Sequence, residues 1–293
     1  MHPPIRNPRR AVRGVAVSSR EVGVQRSSFV LVVGFSLLVS LPAMSQPLVD
    51  DFESYSLGDL PGAPWQDITS RLDSPTVPSP TAFVLDTTGP DGLPTKAVQI
   101  VDAIGTSSGI VSEIQPATTH SLRMDVRIDQ FSDAQGAWPG GIGLLQDEGA
   151  ADFNGDPQAV IYAWQDQRWH MFVKNGPAGT QTGIDVVISG VPRITLGSWY
   201  SLQLDADTTS GVFNASVFDA ASGTLLGSRT LSFPGWNPAF GEFDALAAFD
   251  GEGNAAGGTH GGVSTYDNLS YIPAPATMPF AVVAAIAFAR RRR

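Results

Sequence analysis

Trp199-Tyr200-Ser201-Leu202-Gln203-Leu204-Asp205-Ala206 alternates large apolar and polar side chains, and Asp207-Thr208-Thr209-Ser210-Gly211 then supplies turn residues. Val212-Phe213-Asn214-Ala215-Ser216-Val217-Phe218 alternates again, and a second turn signal, Asp219-Ala220-Ala221-Ser222-Gly223, leads into a third strand from Thr224. A period of two sends successive side chains to opposite faces, so each strand can bury one face and wet the other. Three such strands joined by short turns form an antiparallel meander.

The same pattern continues on both sides. Alternating runs occur at Lys96–Val101, Gly109–Ile114, Ser121–Phe131, Ala159–Gln165, Trp169–Lys174, Ile184–Ser189, Thr224–Phe233, Phe243–Phe249 and Val263–Tyr271, with Gly, Asn, Asp and Pro between them. Helical periodicity is almost absent from residue 50 to 271. Many short strands with turn signals between them predict an all-β sandwich or barrel and not βαβ units. The proline-rich stretch from Ser74 to Pro80 reads as a long loop inside a single domain.

A second hairpin is predicted around Asp166-Gln167, with Trp164 opposite Trp169, Tyr162 opposite Met171 and Val160 opposite Val173. This register gathers Tyr162, Trp164 and Trp169 on one aromatic face, with Gln165, Asp166 and Arg168 at its rim. Sugars stack on exposed aromatic rings and are oriented by polar groups beside them, so this face is the candidate carbohydrate platform. Its competing reading is plain core.

The two ends carry addresses. Phe29 to Leu41 is a 13-residue apolar run after Arg26, followed by Ala43-Met44-Ser45, a small-x-small pattern that predicts signal cleavage near Ser45 and Gln46. Residues 1–26 hold six arginines and one glutamate and belong to this leader. At the other end, Pro273-Ala274-Pro275 precedes an apolar segment, Met278 to Ala289, and four arginines, Arg290 to Arg293. As a helix the segment reaches only about 18 Å, short for a permanent span, so transient membrane insertion is expected. The expected division is 1–45 leader and signal, 47–271 sandwich domain, and 272–293 tail.

Residues 47–273 hold eight of the 18 Lys+Arg and 27 of the 28 Asp+Glu, a net charge of −19. Such a surface repels nucleic acid and anionic headgroups. There is no cysteine. Disulfides, thiol catalysis, zinc–thiolate sites and iron–sulfur clusters are therefore excluded.

Two families are resembled. The order of proline motif, apolar segment and arginine cluster resembles the proline–glutamate–proline (PEP-CTERM-type) sorting signals read by exosortase-type transpeptidases, although the acidic middle residue is missing. The resemblance implies passage through export machinery, cleavage near Pro273, Ala274 and Pro275, and delivery to a cell surface or extracellular matrix. The body is similar to the concanavalin A-like lectin/glucanase superfamily. The residues that carry this are Val49-Asp50-Asp51-Phe52-Glu53-Ser54-Tyr55, Leu60-Pro61-Gly62 with Trp65, Gly197-Ser198-Trp199-Tyr200-Ser201-Leu202 and Tyr266-Asp267-Asn268-Leu269-Ser270-Tyr271. That resemblance implies a two-sheet antiparallel jelly roll whose first and last strands are neighbours.

If those strands are neighbours, Glu53 and Asp267 approach one cation with Asp51 beside them, the hard-oxygen chemistry of a structural calcium. Asp152-Phe153-Asn154-Gly155-Asp156 resembles half a calcium loop but places Pro157 where glycine is needed, and reads as a turn. Glucanases of the superfamily carry alternating acids on one strand. Glu242-Phe243-Asp244 lacks the third acid, and Asp125-Val126-Arg127-Ile128-Asp129 has aspartates where longer glutamates are expected. His120, His170 and His260 form no recognisable triad. The preferred expectation is an exported, non-catalytic jelly roll that binds exopolysaccharide or serves a structural role. The alternative is an extracellular polysaccharide hydrolase or lyase, favoured if carboxylates converge in a groove.

Overall fold

The computed structural model describes residues 47–68, 82–102, 107–133, 136–146, 158–175, 182–238, 242–251 and 260–273. The signal and cleavage positions Ser45 and Gln46, and the tail from Ala274 onward, lie outside these residues.

Among the described residues fifteen strands run in chain order: β1 (Leu48–Asp50), β2 (Trp65–Asp67), β3 (Ala82–Thr88), β4 (Pro94–Val101), β5 (Ser107–Ala117), β6 (Thr119–Gln130), β7 (Trp138–Leu145), β8 (Gln158–Ala163), β9 (Trp169–Asn175), β10 (Thr182–Val187), β11 (Trp199–Asp207), β12 (Val212–Asp219), β13 (Leu225–Ser232), β14 (Phe243–Gly251) and β15 (Val263–Pro273). They form a jelly-roll sandwich of two antiparallel sheets. Sheet A has the order β13-β12-β11-β6-β15-β4-β3 with β1 also paired to β15, and sheet B has the order β10-β9-β8-β7-β14-β5-β2.

The predicted meander is present: β11 pairs with β12 from Tyr200↔Asp219 to Asp207↔Val212, and β12 pairs with β13. Gly211 and Gly223 close its two turns at φ 67 and 71, a region that glycine enters without a Cβ clash. The first and last strands are neighbours, with Leu48↔Tyr271 and Asp50↔Leu269. β15 continues two residues past the expected domain edge, so Pro273 is buried opposite His120.

Sheet A contributes Leu122, Met124, Val126, Ile128, Leu202 and Leu204 to the interior, and sheet B meets them with Ile142, Leu144, Ile161, Trp169, Met171 and Val173. A second apolar cluster lies on the other face of sheet B. It comprises Ile68, Val111, Leu145, Val160, Tyr162, Ala245, Ala247 and Phe249, with Trp138, Trp164 and Phe172 packed against it. Sheet B is thus apolar on both faces, whereas sheet A is apolar within and polar without.

The β8–β9 hairpin corrects the predicted register. Ala163 pairs with Trp169, Tyr162 with His170 and Val160 with Phe172. The turn is longer than two residues: Trp164 N–H donates to Arg168 O at 2.9 Å, and Gln167 N–H to Trp164 O at 2.8 Å. A slip of one residue exchanges the faces of an entire strand. Trp169, Met171 and Val173 therefore join Ile161 and Ala163 in the interior, while His170 and Phe172 share the outer face with Tyr162.

Candidate functional site

The opening Asp50-Asp51-Phe52-Glu53 segment begins as β1 and breaks at Phe52, which is buried at φ 57. Asp50 organises the break. Its carboxylate accepts from Phe52 N–H at 2.8 Å, Tyr55 O–H at 2.8 Å and Trp65 Nε1–H at 2.7 Å. Glu53 is thereby laid along β4, where its Oε1 accepts from Lys96 N–H at 2.8 Å and Thr95 Oγ1–H at 2.7 Å. Lys96 Nζ locks the segment by donating to Glu53 O and Tyr55 O.

At the other end of the chain β15 bulges between Asp267 and Ser270. Asn268 takes φ 52, a left-handed conformation that asparagine tolerates better than most residues. Alternation after the buried Tyr266 puts Asp267 on the outer face of sheet A, and the bulge keeps Asn268 on that face beside it. Asp267 is there the direct cross-strand partner of Asp125 on β6, and Asp125 is the partner of Ser201 on β11.

Asp125 accepts hydrogen bonds from Ser201 Oγ and, at 3.0 Å, from Asn268 Nδ2. Asp267 accepts from Asn268 N–H at 2.7 Å and from Thr95 Oγ1 at 3.3 Å. Asp125 is 3 % and Asp267 2 % exposed. Burial, reinforced by the charges of Asp125 and Glu53, pushes the Asp267 carboxyl up to about 7 against the bonds from Asn268 and Thr95. Glu53 is held below its ordinary value by the Thr95 hydroxyl and the Lys96 amide.

These groups floor a groove of about 940 Å³ in which Arg123, Ser201 and Ser270 also appear. Its walls are β1, the β3–β4 turn from Gly89 to Pro94, and the β12–β13 turn at Ala220 and Ala221. The floor continues beyond the groove as a ladder of polar contacts. Arg127 pairs with Asp129 at 2.7 Å and lies 4.9 Å from the Trp199 ring, while Ser121 bonds Asp205 at 2.6 Å.

The structure brings Glu53 and Asp267 together on the Thr95 hydroxyl. Asp51 does not join them: it is exposed, and its Oδ1 accepts from Glu53 N–H at 3.2 Å in a local turn. Among the described residues no three His, Asp or Glu side chains form a metal-binding group. What the sequence reading missed is Asp125, examined only along its own strand, and the Ser201, Asn268 and Thr95 contacts that hold the acids. The signal was present in Asp267-Asn268, a pair of turn-forming residues inside an otherwise alternating strand.

The aromatic platform is not assembled as expected. Trp169 is fully buried in the interior, with its ring 5.6 Å from Tyr200. Tyr162 is 1 % exposed and stacks on Trp138 at 4.6 Å, within the second apolar cluster. Trp164 is half-buried beside it, Gln165 accepts from Gly136 N–H, and Arg168 is an exposed turn residue. His170 lies between Asp185 at 3.0 Å and Asp166 at 3.3 Å. Burial lowers its basicity, but the two carboxylates outweigh that effect and leave its pKa raised. His260, in the loop before β15, meets Gln130 and Asp133.

No family model and no curated protein sequence matches the chain. Solved structures similar to it include an alginate lyase from Pseudomonas aeruginosa, 14% identical, with a TM-score of 0.43 over 64% of this chain and 86% of that one. An alginate lyase of polysaccharide lyase family 7 is 18% identical, with a TM-score of 0.40 over 67% and 84%. An endo-β-1,4-glucuronan lyase from the fungus Trichoderma reesei is 11% identical, with a TM-score of 0.43 over 78% and 95%.

Proposed function

We propose that this protein is an exported, polysaccharide-cleaving jelly roll whose working surface is the groove on sheet A. The observation that carries the reading is the pairing of Asp125 and Asp267 on adjacent strands in that groove. Same-face partners of antiparallel strands hold their Cβ atoms about 4.5–5.5 Å apart, a spacing that suits two carboxyl groups working on one glycosidic bond. Asp267, with its carboxyl raised to about 7, supplies a proton near neutral pH. Asp125, fed by two donors, suits the carboxylate role. The burial of Tyr162 and Trp169 removes the support for a non-catalytic aromatic platform. Export and hand-over to an exosortase-type transpeptidase, for release near Pro273-Ala274-Pro275, complete the proposal. The test is incubation of the purified protein with a panel of polysaccharides. New reducing ends report hydrolysis, and the ultraviolet absorbance of unsaturated uronate ends reports elimination. Neither signal from any polysaccharide, at enzyme levels that saturate binding, removes the reading.

One observation favours a second reading. Thr95 Oγ1 lies 2.7 Å from Glu53 Oε1, 3.3 Å from Asp267 Oδ2 and 3.4 Å from Lys96 O, yet it has a single proton to give. Four oxygens gathered at one hydroxyl suit a hard cation. Calcium held by Glu53, Asp267, the Thr95 hydroxyl and the Lys96 carbonyl would have coordination positions left for glycan hydroxyls, giving binding without cleavage. Calcium that raises the melting temperature of the wild type but not of Glu53→Gln supports this reading, and a melt indifferent to calcium and chelator removes it.

A further inference from the structure

We propose that the groove takes a cationic polysaccharide, one whose sugars carry free amines, and turns polyuronates away. This rests on the groove being the polysaccharide site.

Four acidic residues whose side chains are not tied into the core line it, Glu53, Asp91, Asp125 and Asp267, against one base among the described residues, Arg123. Arg123 is committed to the floor. Its guanidinium lies 4.9 Å from the Phe218 ring centroid and donates to Ser201 Oγ at 3.2 Å. The two acids nearest solvent, Glu53 and Asp91, are exposed, so they meet an entering chain first. Asp91 spends one oxygen on Leu93 N–H at 2.9 Å and keeps the other for a ligand.

The walls strengthen this field. Val49 and Leu93 are 59% and 62% exposed and stand with Pro47, Pro90 and Ile272 around the acidic floor. Low-dielectric walls beside charges of one sign focus the field and concentrate counter-ions in the cleft. They also offer flat apolar surface to the C–H faces of sugar rings. An ammonium on each ring meets opposite charge throughout such a groove. A carboxylate on each ring meets like charge and would have to be desolvated against it. A calcium ion on Glu53 and Asp267 leaves the sign unchanged, because Asp91 and Asp125 still outnumber Arg123.

The test titrates the purified protein, at mildly acidic pH, with three oligosaccharides of equal length, built from glucosamine, N-acetylglucosamine and mannuronate. The glucosamine oligomer is expected to bind about tenfold tighter than the neutral one, with the mannuronate oligomer weakest. Added salt should weaken only the glucosamine complex. Asp91→Asn keeps an amide oxygen for Leu93 N–H and should weaken glucosamine binding about threefold more than it weakens N-acetylglucosamine binding. Mannuronate or N-acetylglucosamine bound or cleaved best overturns the charge inference and leaves the polysaccharide reading standing. If none of the three is bound or cleaved, the charge inference falls, and the polysaccharide panel decides the broader reading separately.

Discussion

Asp125 and Asp267 face one another across the β6–β15 ladder, each almost wholly shielded from water although a groove opens above them. Like charges directly opposite on a sheet are destabilising, and burial sharpens the penalty. The fold tolerates the pair because Ser201, Asn268 and Thr95 donate hydrogen bonds to it and because burial favours the neutral form of Asp267.

Asp267→Asn and Asp125→Asn should each lower polysaccharide cleavage at least about a hundredfold while leaving the melting temperature within a few degrees of wild type. Initial rates at saturating polysaccharide, with a melt of each variant, check this.

The Asp267 carboxyl also predicts a pH dependence in buffer free of divalent cations. Its folded value near 7 lies above the ordinary 3.8, so the folded state holds a proton that the unfolded chain releases. This contribution is complete below about 4 and is lost as pH rises through about 7. Urea midpoints of Asp267→Asn should therefore gain on wild type between acid and neutral pH, and a constant difference would contradict the assignment.

His120 works in the opposite direction. Its ring is buried between Tyr271 Oη at 3.0 Å and Ala117 O at 2.7 Å. Burial drags its pKa from 6.5 to about 4, only partly resisted by the Ala117 carbonyl. Its stabilisation is present above 6.5 and lost as pH falls through about 4, an order of roughly 3 kcal/mol. His120→Gln should flatten the acid limb of the stability profile measured by urea unfolding.

Gly141 on β7 lies where any side chain would strike the second apolar cluster. A Cβ there would sit 2.7 Å from the Phe249 ring and 2.8 Å from Ile161 O. Gly141→Ala should cost about 1–3 kcal/mol through overpacking, seen as a lowered melting temperature.

Asp50→Ala removes the acceptor of Phe52 N–H, Tyr55 O–H and Trp65 Nε1–H together. Leaving these partly buried donors unpaired should cost about 2–4 kcal/mol. Urea unfolding, and protease sensitivity near Phe52 and Glu53, would report it.

Much of the sandwich was legible because burying one face of a strand requires a period of two, and Trp199–Phe218 displays it residue by residue. Strand β7 was not legible: Trp138-Pro139-Gly140-Gly141-Ile142-Gly143 has no alternation, since sheet B is apolar on both faces and its glycines make room for Phe249 and Val160. Glu53 and Asp267 were expected to approach one cation because the terminal strands were expected to pair; those strands pair, and Thr95 Oγ1 lies 2.7 Å from Glu53 and 3.3 Å from Asp267. Asp125 was weighed only with Asp129 on its own strand because its partner is remote in sequence, and no local pattern records which acid a strand will face.

The sequence by itself determined what is local or compositional: strands from alternation, turns from Gly, Asn and Asp, a chain without cysteine, and strong acidity between two arginine-bearing ends. Tertiary structure alone decided which faces became core and which acids met. A one-residue difference in the Trp164–Arg168 turn sent Trp169 inward and dissolved the expected aromatic platform. The β6–β15 register set Asp267 beside Asp125 in a groove, and the bulge at Asn268 added an amide to the same face. Register and bulge are settled by packing across the whole sandwich, where each strand's gain depends on neighbours that its own residues do not specify.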